Sequence, residues 1–275
     1  MIRIVTDSSC DLPESVIADH RITIVPLTIR FGEEGFVDRE ELSVDEFWER
    51  LTTGEVTPET AAPSVGRFQD AYKALSDEGA DGIVAVMISS GISATHQSAA
   101  IAAEQLVSGI PVRVVDSRLV SGALGMAVVA AAEAAEAGGT IAEVEAAVLD
   151  AAADTNLFAA LDTLEYLKRG GRIGGAAAFF GNLLDVKPII TFDDGVVHPG
   201  GRVRTRKKAL AAILAHLDEI GDAEVGVLHS DPEDLDAFVA SLEDRGITNP
   251  PLFRLGPVVG THAGPGVLGV VYRKR

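Results

Sequence analysis

The sequence feature that most constrains the fold is an apolar strand that leads through a serine-rich loop into a helix. Gly82–Met87 (GIVAVM) is a short apolar run between turn-forming residues, which predicts a buried strand of a parallel sheet. A helix-compatible segment, residues 94–106, follows it. The intervening residues 88–93 are therefore predicted to form a loop at the carboxyl edge of the sheet, where open α/β sheets bind their ligands.

This loop has two interpretations. Its serines, among them Ser90 and Ser93, together with Gly91, would face the N–H groups at the start of the helix. Those groups favour an anion such as a carboxylate or a phosphate. Alternatively, Ser93 is only the N-cap of the helix, a position that serine often occupies. The stretch alone leaves both interpretations open.

The charge and the single cysteine limit the classes of function. A formal net charge of −18 argues against a nucleic-acid partner and against permanent attachment to an anionic membrane, although transient membrane contact stays open. Cys10 is the only cysteine, which fits a reducing compartment. The first residues do not have the layout of a signal peptide. We therefore expect a cytoplasmic protein.

The order of strands and helices predicts an α/β fold with two domains. Up to about residue 150, strands alternate with helices, which indicates a three-layer α/β/α unit with a parallel sheet. Within this unit, a strand followed by a turn predicts a hairpin-like insertion near residues 22–55, called the excursion below. The pattern changes around residues 150–156, so the predicted domains are residues 1–153 and 154–275. In the second, Asp193-Asp194-Gly195 predicts a hairpin.

The sequence offers no convincing catalytic, cofactor or metal motif. A G-x-G-x-x-G match begins at Gly264, but the six residues that follow it leave no room for the βαβ unit of a dinucleotide site. Residues 91–95 lack the second glycine of a nucleophile elbow. The six histidines do not have metal-ligand spacing. We therefore expect neither a metal nor a cofactor.

Three single residues are further candidates, each with an ordinary structural alternative. Thr60 lies in a long irregular segment, where its hydroxyl could bind a ligand oxygen or simply belong to a turn. His262 lies between Gly260 and Gly264, and its ring could donate to a carboxylate or be structural. Asp7 follows the first strand, where it either lines a shared cleft or closes a turn.

Basic and apolar segments of the second half are candidates for contacts. Arg169 and Arg172 lie in a glycine-rich basic turn, and residues 202–208 are the densest basic run of an acidic chain. Such a run is usually a solvated face, but it also suits an anionic partner. Residues 176–184 are apolar almost all round, which indicates that this segment is buried or lines an apolar cavity.

Together these segments resemble the DegV family of bacterial fatty-acid-binding proteins, which includes the binding subunit of fatty acid kinase. The matching segments follow the family's order over nearly the whole chain and are residues 6–13, 60–64, 88–99, 116–117, 168–174, 204–208 and 260–266. The sequence departs from the family pattern at Ala61-Ala62, Ala94 and His96.

The resemblance implies a parallel-sheet domain, a mixed-sheet domain and an enclosed long-chain fatty acid such as palmitate or oleate. Its carboxylate would be held by Thr60, Ser93 and His262, with Ser90 and Gly91 in support. The protein would be a carrier without catalytic residues that presents the carboxyl group to a separate kinase for acyl-phosphate formation. The side chains assigned to docking of that kinase are Arg169, Arg172, Arg202 and Arg204. Those assigned to the lining around the acyl tail are Phe179 and Phe180.

The physics of a fatty acid agrees with this implication. Each buried methylene contributes about 0.8 kcal/mol, and a buried carboxylate needs hydrogen-bond donors. We expect those donors to be two hydroxyls, helix-start amides and an imidazole, without a full positive charge at the head group. The alternative is an enzyme, of hydrolase or phosphoryl-transfer type, that acts on a small molecule in a cleft formed by Asp7, Ser93 and His262.

Overall fold

The computed structural model describes residues 1–107, 109–179 and 186–275. Its strands, in chain order, are β1 (Ile2–Asp7), β2 (Thr23–Val25), β3 (Thr28–Phe31), β4 (Glu34–Val37), β5 (Pro58–Ala61), β6 (Gly82–Met87), β7 (Val112–Asp116), β8 (Thr155–Ala160), β9 (Lys187–Asp193), β10 (Val196–Val203), β11 (Ala223–His229), β12 (Leu252–Arg254) and β13 (Leu268–Lys274).

The α-helices, in chain order, are α1 (Glu14–Asp19), α2 (Val44–Thr53), α3 (Val65–Asp77), α4 (Thr95–Glu104), α5 (Ser121–Glu136), α6 (Ile141–Asp154), α7 (Glu165–Arg169), α8 (Arg206–Ile220), α9 (Leu235–Glu243) and α10 (Pro257–Ala263). Short 3₁₀ helices span Ser8–Cys10 and Gly174–Phe179. None of the helices in the described ranges is both long enough and apolar enough to cross a membrane.

The first sheet is parallel and has the strand order β2-β1-β6-β7. Its central strand β6 is buried at every position, as its continuous apolar run predicts. Alternate residues of β6 face opposite layers: Ile83 packs in a cluster with α3 and α4, whereas Val84 packs in a cluster with α5 and α6. This arrangement confirms the predicted three-layer unit.

The second sheet is mixed and has the order β10-β9-β8-β13-β11-β12. Its neighbours pair antiparallel, except for the parallel pair β11 and β12. Helices α8 and α9 cover one face, and α5 packs near the other. The predicted hairpin is β9–β10. The domain boundary predicted at residues 153 and 154 falls at the end of α6 and stays a prediction.

A small third sheet, β4-β3-β5, lies between β2 and α3 in the chain. β3 and β4 form an antiparallel hairpin, and β5 adds a strand that carries Thr60. α2 belongs to the same excursion and packs Phe47 and Trp48 against α10, where Gly260 leaves no room for a Cβ atom. The excursion therefore brings β5 and α10 together, although they lie about two hundred residues apart in the chain.

Candidate fatty-acid site

An apolar cavity that is partly open to solvent lies beside the mixed sheet. Leu157 and Ala159 of β8, and Leu161 directly after it, face the cavity because alternate side chains of an extended chain share a face. The intervening Phe158 and Ala160 face α8 and α9 instead. The start of α5, the loop after β6, and α10 complete a wall that is mainly aliphatic. Such a cavity suits a long apolar ligand.

The polar side chains that line the cavity are few and include all three that were assigned to a carboxylate. They are Thr60, Ser93, Ser121, Arg172 and His262. The structure thus places Thr60, Ser93 and His262 in one cavity wall, although they come from β5, the loop after β6, and α10. Their role as carboxylate ligands stays a prediction.

Thr60 and His262 form the clearest pair. The Thr60 Oγ1 atom lies 2.9 Å from His262 Nε2, and both side chains are half-buried. Burial, reinforced by the positive charge of Arg172, lowers the pKa of His262 to about 4. The imidazole is therefore neutral at pH 7. Its Nδ1 atom is buried and has no hydrogen-bond partner among the residues that the structure describes.

Ser93 reaches the cavity from the end of the loop after β6. Its Oγ lies 2.8 Å from Thr95 Oγ1 and accepts a hydrogen bond from the Thr95 N–H at 3.3 Å. The N-cap residue of α4 is Ala94, whose side chain makes no capping bond. Although Ala94 directly precedes the helix, Ser93 Oγ accepts the N–H of its first residue, so the structure retains the capping interpretation of Ser93 beside its place in the cavity wall.

Ser90 and Gly91 were assigned to support the carboxylate site, but neither residue lines the cavity. Both are exposed. The Ser90 Oγ donates to Asp116 Oδ2 at 2.5 Å, and the Ser90 N–H donates to Asp116 Oδ1 at 3.0 Å. A Cβ atom on Gly91 would lie 2.8 Å from the Gly195 carbonyl oxygen, so the loop packs closely against the β9–β10 turn. These residues hold the loop in place.

Arg172 lines the cavity, which the sequence analysis did not foresee. Its Nε donates to the Ile92 carbonyl at 3.1 Å and its Nη1 to the Gly170 carbonyl at 2.6 Å. The expectation that the head-group region lacks a full positive charge is therefore wrong. The glycine-rich turn gave no signal for this placement, because it depends on how α7 packs against α10.

Asp7 does not share the cleft assigned to it in the enzyme alternative. It is fully buried and is not among the residues that line the cavity. Its carboxylate accepts hydrogen bonds from the Ile88 N–H at 2.8 Å, from the Ser9 N–H at 3.0 Å and from the Ser9 hydroxyl. Burial raises the pKa of Asp7 above its ordinary value. Its hydrogen bonds connect β1 to the loop after β6, which is a structural role.

The remaining assigned residues lie elsewhere. Arg169 is exposed and pairs with Glu165, while Arg202 and Arg204 are exposed and make no ion pair with any residue in the described ranges. Phe180 and the side chain of Phe179 lie outside the described residues, so their assignment to the acyl tail stays a prediction. Within the described ranges, His, Cys, Asp and Glu side chains do not form a group that could hold a metal ion.

Gly170 provides a test of the His262 position. A Cβ atom at residue 170 would lie 2.1 Å from His262 Nδ1, whereas one at Gly171 would meet nothing within 4 Å. We expect Gly170→Ala to displace the imidazole and to weaken oleate binding on the order of tenfold, because the hydrogen bond between His262 Nε2 and Thr60 Oγ1 is lost. Gly171→Ala is the matched control: its φ of 70° strains the backbone, so it should lower stability but leave binding unchanged. Calorimetric titration of both variants compares them, and equal oleate affinities would contradict this account.

The parallel sheet, the mixed sheet and the apolar cavity define a class of α/β protein with a site suited to an apolar ligand. Within that class the chain belongs to the DegV family: the model of uncharacterised DegV family proteins matches residues 1–275. The family resemblance predicted from the sequence is thereby confirmed.

Relatives and solved structures agree over the full length. A DegV domain-containing protein of Streptomyces coelicolor is 39% identical over 280 residues, which cover 100% of this chain and 99% of that protein. A fatty-acid-binding DegV family protein of Thermus thermophilus is 33% identical, with a TM-score of 0.92 over 100% of this chain and 99% of its own. A stearic-acid-binding protein of Eubacterium ventriosum is 28% identical, with a TM-score of 0.90 over 100% and 99%.

Proposed function

We propose that this protein is a carrier that binds one long-chain fatty acid, such as palmitate or oleate, with the acyl tail in the apolar cavity. The observation that carries the proposal is the single cavity wall that combines aliphatic side chains with Thr60, Ser93 and His262. Structural relatives that bind fatty acids support it. Each methylene moved from water into such a cavity contributes about 0.8 kcal/mol, so a long tail supplies most of the affinity.

The carboxylate is held by the polar part of this wall. If His262 Nε2–H donates to Thr60 Oγ1, the Thr60 hydroxyl proton is free to donate to one carboxylate oxygen. The Ser93 hydroxyl supplies a second donor. Arg172 contributes a positive charge nearby, which offsets part of the cost of removing a carboxylate from water. The neutral imidazole acts as a hydrogen-bonding group and not as a counter-ion.

We further propose that the carrier presents this carboxyl group to a separate kinase, which transfers a phosphoryl group from ATP to a carboxylate oxygen and gives an acyl phosphate and ADP. Arg202 and Arg204, exposed at the end of β10, support docking of this kinase, and Arg169, exposed at the end of α7, is a further basic candidate. The overall acidity of the chain makes these basic side chains distinctive. Acyl phosphate should form only when kinase, ATP and loaded carrier are combined; formation by this chain and ATP alone would contradict the division of labour.

The carrier would act in the cytoplasm and would collect or deliver its ligand during brief contacts with membranes. The single cysteine, Cys10, is buried, and it fits the reducing compartment that this location provides.

The test of binding is direct. The purified protein is denatured and extracted with solvent, and the extract is searched for fatty acids by mass spectrometry. The delipidated protein is then titrated with oleate and palmitate, and the emission of Trp48, the only tryptophan, is followed. Trp48 donates to the carbonyl of Leu255, a cavity residue, so its emission should respond to loading. An extract without fatty acid, together with no uptake of either acid, would reject the carrier.

A further inference from the structure

Asp11 is a buried carboxylate outside the cavity that joins elements from both halves of the chain. It follows the first 3₁₀ helix, has a φ of 50° and is 4% exposed. Its Oδ2 accepts a hydrogen bond from Ser121 Oγ at 2.5 Å. Its Oδ1 accepts one from the Gly256 N–H at 2.9 Å, across 245 positions of sequence. One side chain therefore holds two distant segments.

Both partners of Asp11 begin helices that form the cavity. Ser121 is the first residue of α5 and lines the cavity itself. Gly256 is the N-cap of α10 and has no side chain that could cap the helix, so the carboxylate of Asp11 satisfies its N–H group. α10 carries Val258, Val259 and His262 in the cavity wall. Asp11 thus fixes the positions of the first turns of α5 and α10, which form part of the cavity wall.

The surroundings of Asp11 favour a firmly held group that is only partly ionised near pH 7. The titratable groups that face it are Asp38 and Arg39, from the chain between β4 and α2, and Cys10 beside it; Asp7 lies in the same buried cluster. α5 and α10 present it with a hydroxyl and a backbone N–H. Burial raises the pKa of Asp11 to about 7, so its protonated form, which asparagine imitates, is populated near neutral pH.

We propose that Asp11 is a positioning residue for the fatty-acid site: its carboxyl group sets the placement of α5 and α10 and, through α10, that of His262 against Thr60. This inference rests on the proposed function of the cavity. It predicts that Asp11 acts on ligand binding without touching the ligand, since it is absent from the cavity wall.

Three substitutions test the proposal. Asp11→Ala removes both acceptors, whereas Asp11→Asn keeps an oxygen for the Gly256 N–H and offers an N–H to the Ser121 hydroxyl. We expect Asp11→Ala to bind oleate about tenfold more weakly or worse, and Asp11→Asn to bind it as the wild type does. Asp11→Gly removes the same acceptors and adopts a φ of 50° freely, so it replaces the alanine variant if that variant does not fold.

A second readout separates positioning from general destabilisation. In the ligand-free protein, NMR titration of His262 should show its pKa moving up from about 4 toward its ordinary value in Asp11→Ala, because a displaced α10 exposes the ring; in Asp11→Asn it should stay low. Val148→Ala, at a fully buried residue of α6 that does not line the cavity, is the control for a loss of stability alone. It should change neither the oleate affinity nor the His262 titration.

The outcomes are distinguishable. Unchanged oleate affinity and unchanged His262 titration in Asp11→Ala or Asp11→Gly would overturn the role of Asp11, and so would equal effects of Val148→Ala. If the wild type does not bind oleate, the proposed function fails, but the His262 titration still decides whether Asp11 positions α10.

Discussion

Thr60→Val should bind oleate on the order of 10- to 100-fold more weakly than the wild-type protein. The substitution keeps the shape of the side chain but removes the hydroxyl that lies 2.9 Å from His262 Nε2. The ligand carboxylate then loses a donor, and the His262 imidazole loses the oxygen that accepts its Nε2–H. A buried polar group left without its partner costs about 1–3 kcal/mol, and the expected loss of affinity follows from that cost.

The measurement is calorimetric titration of delipidated protein with oleate. Thr57→Val is the matched control, because Thr57 lies in the same segment but is exposed and does not line the cavity. It should bind oleate as the wild type does. Equal affinities of Thr60→Val and the wild type would show that the carboxylate is held elsewhere.

The second large effect is expected from Ala159, whose small side chain faces the cavity from β8. Replacement by valine, leucine and phenylalanine should exclude progressively more of the acyl tail. Each excluded methylene costs about 0.8 kcal/mol, or roughly fourfold in affinity. Ala159→Phe should therefore weaken oleate binding on the order of a hundredfold, while acids with shorter tails lose less.

The ratio of affinities for oleate and laurate across this series measures the effect. Ala160→Val is the control, since Ala160 is adjacent in β8 but packs in the opposite layer, against α8 and α9. It should cost stability through overpacking without changing the ratio of the two affinities. A ratio that stays constant from Ala159→Val to Ala159→Phe would show that the tail does not pass this strand.

Much of the fold could be predicted because its signals are local. The apolar run of β6 and the turn at Asp193-Asp194-Gly195 depend on nearest neighbours in the chain, and the structure contains both a buried strand and a hairpin there. Thr60 and His262 were candidates from their local segments, but their assignment to one carboxylate came only from the resemblance to a family. They lie 202 positions apart in the sequence, and local patterns do not predict which residues so far apart come into contact.

What the sequence did not predict depends on how separate elements pack. Arg172 became part of the cavity wall because the turn after α7 meets α10. Ser90 turned out to bind Asp116 at the neighbouring strand β7, a pairing set by strand order in the parallel sheet. The two hydrogen bonds by which Asp11 connects the starts of α5 and α10 also join residues far apart in the chain, so no local pattern predicts them.

The most direct test of the central claim is an experimental structure of the protein with oleate bound. We predict one carboxylate oxygen within hydrogen-bond distance of Thr60 Oγ1, the other within reach of Ser93 Oγ, and the tail along Leu157 and Ala159 of the mixed sheet. A carboxylate away from Thr60 and Ser93, or a tail outside this cavity, would contradict the account.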